Sequence, residues 1–420
     1  MAEFKRCYAC MEDINGELIC PHCGFNVIEH HTKLRCLKPG SVLNNRYTVG
    51  IVLGEGGFGI TYIGWDNTLD LPVAIKEYFP VEMASRDNMS SHSDEVNVYS
   101  GKKEQLYFNG LSKFISEAKT LSKFNNLIGI VSVRDFFSLN NTAYIIMDFN
   151  DGVTMKEYID ENGPLKSEYV FELMKPVMYS LEYVHRKSIV HRDISPDNIM
   201  ISTSGTVQLI DFGAARTINK DDDKKLTVVL KKGYGPEEQY RSNGNQGPWT
   251  DVYALCATMY YMITGREPVE SITRIVEDNL IPISSLGYEI GAEEESVLMK
   301  GLAVFAKDRY QSMNELYKAF YGETIISDDE GGSIEYAIKV GKEREKNRQN
   351  IGKVISDTNN RSSENRSGGR GMSSLSMKRS FERNTGNIDD QYNGTVLMDD
   401  GTNETVLMDD GNNETVLMED

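Results

Sequence analysis

The chain has 420 residues, 40% of them hydrophobic and 26% charged, with a net charge of −18. That length suggests two or three structural units with at least one large core, and the composition is that of a soluble globular protein. The charge is unevenly placed: Lys339 to Arg383 holds 12 Lys or Arg against 5 acids, and Asp389 to Asp420 holds 10 acids and no base. The last hundred residues are thus charge-patterned and do not read as core-forming. No apolar run reaches the length of a membrane span, and the opening "MAEFKRC" has no signal-peptide apolar region, so a cytoplasmic location is expected. Thiols stay reduced there, and six cysteines need a role other than disulfide bonding.

The first element supplies that role for four of them. "CYAC" and "CPHCG" place Cys7, Cys10, Cys20 and Cys23 in two C-x-x-C knuckles separated by nine residues. Each knuckle aims two thiolates at one point, and together they make the tetrahedral sulfur site that zinc prefers. A segment this short (1–38) cannot bury enough apolar surface to fold alone, so structural zinc would supply the folding energy of a small ribbon. His22, inside the second knuckle, is set aside as a ligand. Few bases and no basic stripe argue against nucleic-acid binding.

Next, "RYTVGIVLGEGGFGITYIGW" alternates apolar residues around Gly54, Gly56, Gly57 and Gly59. A G-x-G-x-x-G that served a dinucleotide fold should open a helix, whereas Ile60, Thr61, Tyr62 and Ile63 are β-formers that predict the second strand of a hairpin. Seventeen residues beyond Gly59, "VAIK" ends in Lys76. "GLSKFISEAKTLSKF" (110–124) carries Leu111, Phe114, Ile115, Ala118, Leu121 and Phe124 on one helical face, with Glu117 beside it. The polar "SRDNMSSHSDEV" between Lys76 and that helix reads as an insertion. Further on stand "HRDISPDN", with Asp193 and Asn198, and "DFG", whose Asp211 comes thirteen residues after Asn198.

In this order the motifs resemble the protein kinase catalytic domain, over about 46–322. The resemblance implies an α+β fold with a β-rich small lobe (46–149) and an α-rich large lobe (150–322). It also implies ATP and magnesium. Phosphoryl transfer is mainly positioning and charge neutralisation. By resemblance the glycine loop covers the phosphates and Lys76, partnered by Glu117, holds them. Asn198 and Asp211 bind magnesium, and Asp193 accepts the substrate hydroxyl proton. Met147 would be the gatekeeper in "YIIMDFNDG", with Asp148 to Asn150 presenting backbone to adenine and Ala74 and Met200 enclosing the purine. "WTDVYALCATMYYMITGREP" resembles the buried central helix of the large lobe, with Asp251 near its start. Arg309 would pair with Glu237 or Glu238.

"HRDISPDN", "AIKEYFP" and "GYGPEEQY" resemble bacterial Ser/Thr kinases. One departure from the general Ser/Thr kinase pattern stands out: Ser195 occupies the place where those kinases usually have a lysine that meets the transferred phosphate. The resembling bacterial kinases often share this departure, so the missing charge would be supplied elsewhere. A slow enzyme or a pseudokinase scaffold, with a tail phosphorylated by another kinase, is therefore the alternative reading. Arg192 before Asp193 implies a phosphate on the activation segment, which offers Thr217 and, better, Thr227, because "TVVL" resembles the tail's "TVLM".

The remaining chain reads as a disordered basic linker (323–393) followed by three repeats (394–420), in which Thr395, Thr405 and Thr415 each precede Val-Leu-Met and two acids. A phosphothreonine with an apolar residue three beyond it resembles the peptides read by forkhead-associated domains. The expected partners are thus protein substrates and forkhead-associated domain proteins bound to the phosphorylated tail.

Overall fold

Two asparagine pairs set the first hairpins. Asn44 and Asn45, and later Asn140 and Asn141, all take positive φ between 48° and 58°, the backbone that tight hairpin turns demand and that Asn tolerates. The first pair joins β1 (Val42–Leu43) to β2 (Tyr47–Gly56); Gly57 and Phe58 then turn the chain into β3 (Gly59–Asp66), which leads to β4 (Leu71–Tyr78). This computed structural model describes residues 5–86, 94–125, 127–212, 216–217, 231–241 and 243–325. The expected phosphorylation sites Thr227, Thr395, Thr405 and Thr415 lie outside them, as do nearly all of the linker and all of the repeats.

A short pair, β5 (Ala84–Ser85) and β6 (Asn97–Val98), precedes helix α1 (Lys102–Leu121). The helix begins eight residues before the expected Gly110, because Tyr107 is also fully buried and extends the apolar face of Phe114, Ala118 and Leu121 by two turns. Phe124 follows in a single 3₁₀ turn. The second Asn turn joins β7 (Val133–Leu139) to β8 (Thr142–Asp148). The sheet is antiparallel, in the order β1-β2-β3-β4-β8-β7, with α1 packed over β7 and β8.

The second lobe is mostly helical. β9 (Val153–Thr154) leads to α2 (Met155–Asn162), started by a reciprocal cap: Thr154 Oγ1 accepts from the Glu157 amide and the Glu157 carboxylate accepts from the Thr154 amide. Then come α3 (Ser167–Arg186), β10 (Ile189–Val190), β11 (Ile199–Ile201), β12 (Val207–Leu209) and β13 (Arg216–Thr217). β9, β11 and β12 form one small sheet, and β13 pairs with β10. Helix α4 (Pro248–Thr264) is buried at every residue from Thr250 onward, as an all-round apolar sequence requires. It packs against α3, α6 (Ala292–Gly301) and α7 (Met313–Tyr321), while the short α5 (Ser271–Arg274) follows α4. Of the two acids offered to Arg309, Glu238 takes it, at 2.8 and 3.0 Å; Glu237 pairs with Arg241.

One buried network ties the small lobe together. Glu77 and Arg86 form an ion pair with no exposed side-chain surface. Glu77 also accepts from Tyr62 and Tyr144, and Arg86 donates to the carbonyls of Arg35 and Asp94. The polar insertion thus contributes a core residue. Removing one member of a buried pair leaves the other charge uncompensated. Arg86→Met should therefore lower stability by about 3 to 5 kcal/mol, read by urea unfolding; a loss below about 1 kcal/mol, the range of exposed pairs, would contradict this account.

Candidate active site

Strand alternation aims the side chains expected to face the nucleotide. Along β4, Val73, Ile75 and Glu77 are buried in the sheet's core face, while Ala74 and Lys76 point the other way and are only half-buried. Met147, on β8, sits directly opposite Ala74, and Met200, on β11, is likewise half-buried between the core residues Ile199 and Ile201. Asp148 pairs with Arg134, and Asn150 donates to Gln208 at 3.0 Å. At the hairpin tip, a methyl group on Gly54 or Gly57 would meet nothing within 4 Å, and one on Gly56 only the Gly59 carbonyl at 4.0 Å. That open space is what a loop approaching phosphates needs. Gly59 is required for another reason: a Cβ there would lie 2.4 Å from the Glu77 carbonyl oxygen.

Lys76 Nζ lies 2.8 Å from Asp211 Oδ1 and 3.7 Å from Glu117 Oε1. Burial works against the lysine's charge, yet Asp211 first and Glu117 second hold its pKa above the ordinary value. Glu117 itself is pushed up to about 7 by burial, with Lys76 only partly opposing this. The shorter Asp211 contact therefore does most to keep Lys76 charged.

The loop carrying Asp193 is fixed from below. Asp251, fully buried in the first turn of α4, accepts the amide hydrogens of His191 and Arg192, both at 2.8 Å, and contacts His185 Nε2 at 2.7 Å. Burial opposes its ionisation, but the His185 contact prevails and its carboxyl stays below the usual range. Arg192 has φ 72°, a conformation that side chains other than Gly, Asn and Asp rarely adopt, and the Asp251 contacts hold it there. His191 packs edge-on against Phe212, centroids 4.4 Å apart.

Asn198 Nδ2 donates to both the carbonyl and the carboxylate of Asp193, each at 2.8 Å. Burial raises Asp193 to about 6, the positive charge of Lys231 opposes the shift, and Asp211 adds to it. The structure thus brings Lys76, Glu117, Asp211, Asp193 and Asn198 into one electrostatically linked site. Sequence reasoning missed Lys231, whose Nζ donates to Ser195 Oγ at 2.8 Å. Its signal was only the pair "KK" before "GYGPEE" and the vacant place at Ser195.

A second centre lies at the N-terminus. The Sγ atoms of Cys7, Cys10, Cys20 and Cys23 all fall within 4.8 Å of one another, with Cys7 to Cys23 and Cys10 to Cys20 both at 3.6 Å. Four sulfurs about 2.3 Å from a central zinc would be about 3.8 Å apart, so the donor set fits that ion. Each knuckle is followed by a residue with positive φ, Met11 and Gly24. This unit docks on β2, where the Ile51 amide donates to the Tyr8 carbonyl at 2.9 Å and Gly50 leaves room for Met11 and Tyr8. No helix among the described residues is long and apolar enough to cross a membrane.

The family model described as "Protein kinase domain" matches residues 47–296. The chain is 26% identical over 286 residues to the probable serine/threonine-protein kinase PknB of Lactococcus lactis subsp. lactis, covering 66% of this chain and 42% of that one. It is 32% identical over 229 residues to the serine/threonine-protein kinase PknL of Mycobacterium tuberculosis, covering 54% of this chain and 51% of that one. The chain thus spans about half, or less, of the length of these curated relatives. A solved structure described as "PpkA-294 apo form" superposes with a TM-score of 0.60 at 32% identity, over 68% of this chain and 99% of the other.

A carboxyl raised to about 6 is protonated below that pH. Carbon-13 NMR should place the Asp193 titration near pH 6, in a signal that Asp193→Asn removes; a midpoint near the ordinary 3.8 would show that water reaches the group freely. Because the folded form holds this proton more tightly than the unfolded chain, its contribution to stability is complete below about pH 4 and is lost as pH rises through 6.

Proposed function

The chain belongs to the protein kinase family, and from that premise we propose that it is an active, ATP- and magnesium-dependent Ser/Thr kinase that phosphorylates itself and other proteins. The observation that carries this reading is the single cluster of Lys76, Asp211, Glu117, Asp193 and Asn198, each holding or facing another member. Lys76 would bind the α and β phosphates beneath the glycine loop. Asn198 and Asp211 would hold magnesium, which when bound neutralises charge on the β and γ phosphates. Asp193, ionised above about pH 6, would accept the proton of the substrate hydroxyl as its oxygen bonds to the γ phosphorus. The bond from that phosphorus to the bridging oxygen breaks, and ADP leaves with the electron pair. Asn198 keeps the carboxylate oriented for this.

The chain's own acceptors, on this proposal, are Thr227 in the activation segment and Thr395, Thr405 and Thr415 in the tail. Phosphate on the tail adds about −1.5 to −2 charges at each threonine to a segment that is already acidic, so it should dock an arginine-lined pocket outside the chain, of the kind forkhead-associated domains carry. Structural zinc on Cys7, Cys10, Cys20 and Cys23 completes the reading. The reduced thiols that it requires suit the cytoplasm.

Labelled phosphate transfer from ATP followed by site mapping tests the kinase reading. Asp193→Asn and Lys76→Met should each lower labelling of Thr227 and the tail by at least about a hundredfold; unchanged labelling in either variant would sink the assignment. Metal analysis of the reduced protein should find one zinc per chain, lost together with N-terminal structure in Cys7→Ser or Cys20→Ser. A metal-free but folded N-terminus would refute the second part.

A further inference from the structure

A lysine is missing from the catalytic loop, and another arrives from the far end of the activation segment. Ser195 is completely buried two residues after Asp193, and its hydroxyl oxygen accepts a hydrogen bond from Lys231 Nζ at 2.8 Å. The same ammonium lies 3.5 Å from Asp197 Oδ2. Its charge is felt at Asp193 and at His191, so it stands over the catalytic loop. The Lys231 carbonyl accepts from the amides of Tyr234 and Gly235, which makes Lys231 the first residue of a turn. Gly233 in that turn has φ 79°, and a Cβ on it would lie 2.6 Å from the Pro268 carbonyl oxygen. Lys231 is therefore held from three sides, by its turn, by Ser195 and by Asp197.

An ammonium has three N–H donors. Ser195 takes one and Asp197 is close enough to engage a second, so the two contacts do not use up its donors. The side chain keeps a third of its surface exposed, and its anchor, Ser195, stands two residues after Asp193. We propose that Lys231 is a catalytic residue: it supplies, from the activation segment, the positive charge that meets the phosphoryl group in transfer, with Ser195 as its anchor. The place of the cation is kept while the chain segment that carries it changes. No covalent bond to Lys231 forms, and its role is to neutralise charge as the γ phosphoryl moves from ADP to the substrate oxygen. The inference rests on the kinase reading above.

The test compares wild type, Lys231→Met, Lys231→Arg and the exchange Ser195→Lys with Lys231→Ser, all in the full chain, using ATP and a threonine peptide. Thermal unfolding and binding of a non-hydrolysable ATP analogue verify that each variant is folded and takes nucleotide. Lys231→Met should lower kcat by roughly a hundred- to a thousandfold while KM for ATP changes less than about threefold, since the interaction belongs to the transition state. Lys231→Arg should retain part of the rate, and the exchange should recover kcat to within about tenfold of wild type, because it returns an ammonium to the same place. Lys231→Met with kcat within about twofold of wild type would overturn the proposal. So would a folded, nucleotide-binding exchange variant as slow as Lys231→Met, since that would mark Lys231 as a strut for the loop. An inactive wild type would instead refute the kinase reading itself, and the proposal with it.

Discussion

The loop that carries Asp193 depends on one buried carboxylate. Asp251 has no exposed surface and, among the described residues, no lysine or arginine for a partner; it is satisfied by two main-chain amides of the catalytic loop and by His185. Charge-assisted bonds of this kind are the strong ones, and they are made to backbone, so they fix the path of the loop irrespective of its side chains. The positive φ at Arg192 would otherwise relax. Because α4 is buried from Thr250 onward, the carboxylate sits on a rigid base. The rigidity of the large-lobe core is thereby transmitted to Asp193 and to Asn198, which is bonded to it.

The sequence disclosed those parts of the site whose spacing is local. Asp193 and Asn198 share one short loop, and Ala74 and Lys76 share one strand face, so pattern and chemistry point to them together. The link from Lys76 to Glu117 crosses 41 residues and a polar insertion, yet it was legible because an amphipathic helix must lie on the sheet and Glu117 flanks its apolar face. The start of that helix was not, since Tyr107 alone does not announce a further apolar turn. Arg86 was hidden for a related reason. A charged residue in a polar stretch reads as solvated, and nothing local shows that Glu77, nine residues earlier, is enclosed by Tyr62 and Tyr144 and demands a cation. Glu237 and Glu238 are adjacent, so their order alone cannot say which faces Arg309.

The pair Ser195 and Lys231 illustrates the deeper limit. What catalysis constrains is a charge at a point in space. A reading that follows motifs along the chain sees Ser195 as a loss, because the compensating residue is 36 positions away. Only the fold, which brings Lys231 onto Ser195, shows that an ammonium stands at that place in the loop. The electrostatics agree: without Lys231, burial and Asp211 would push Asp193 still higher, and its carboxyl would be protonated over more of the neutral range.

A similar continuity joins the N-terminal cysteine unit to the glycine loop. Lys33 and Arg35, just before the buried Cys36 and Leu37, both grip Glu55 between Gly54 and Gly56, with Lys33 Nζ at 2.7 Å. Burial would raise the Glu55 carboxyl, but the two cations hold it below the usual range. These are partly exposed pairs, worth about 0 to 1 kcal/mol each, so they add little to stability. Their effect is on geometry. A loop made of glycines has many conformations to lose on becoming ordered, and a double tether at its centre removes some of them beforehand. On the other side of the same segment, the Leu37 amide donates to Tyr62 and Arg86 holds the Arg35 carbonyl, both within the Glu77 network that follows Lys76 in β4. The glycine loop and Lys76 are thereby referred to one anchored strip of chain, so that the segment ahead of the small lobe would, on the proposed function, help to position the nucleotide.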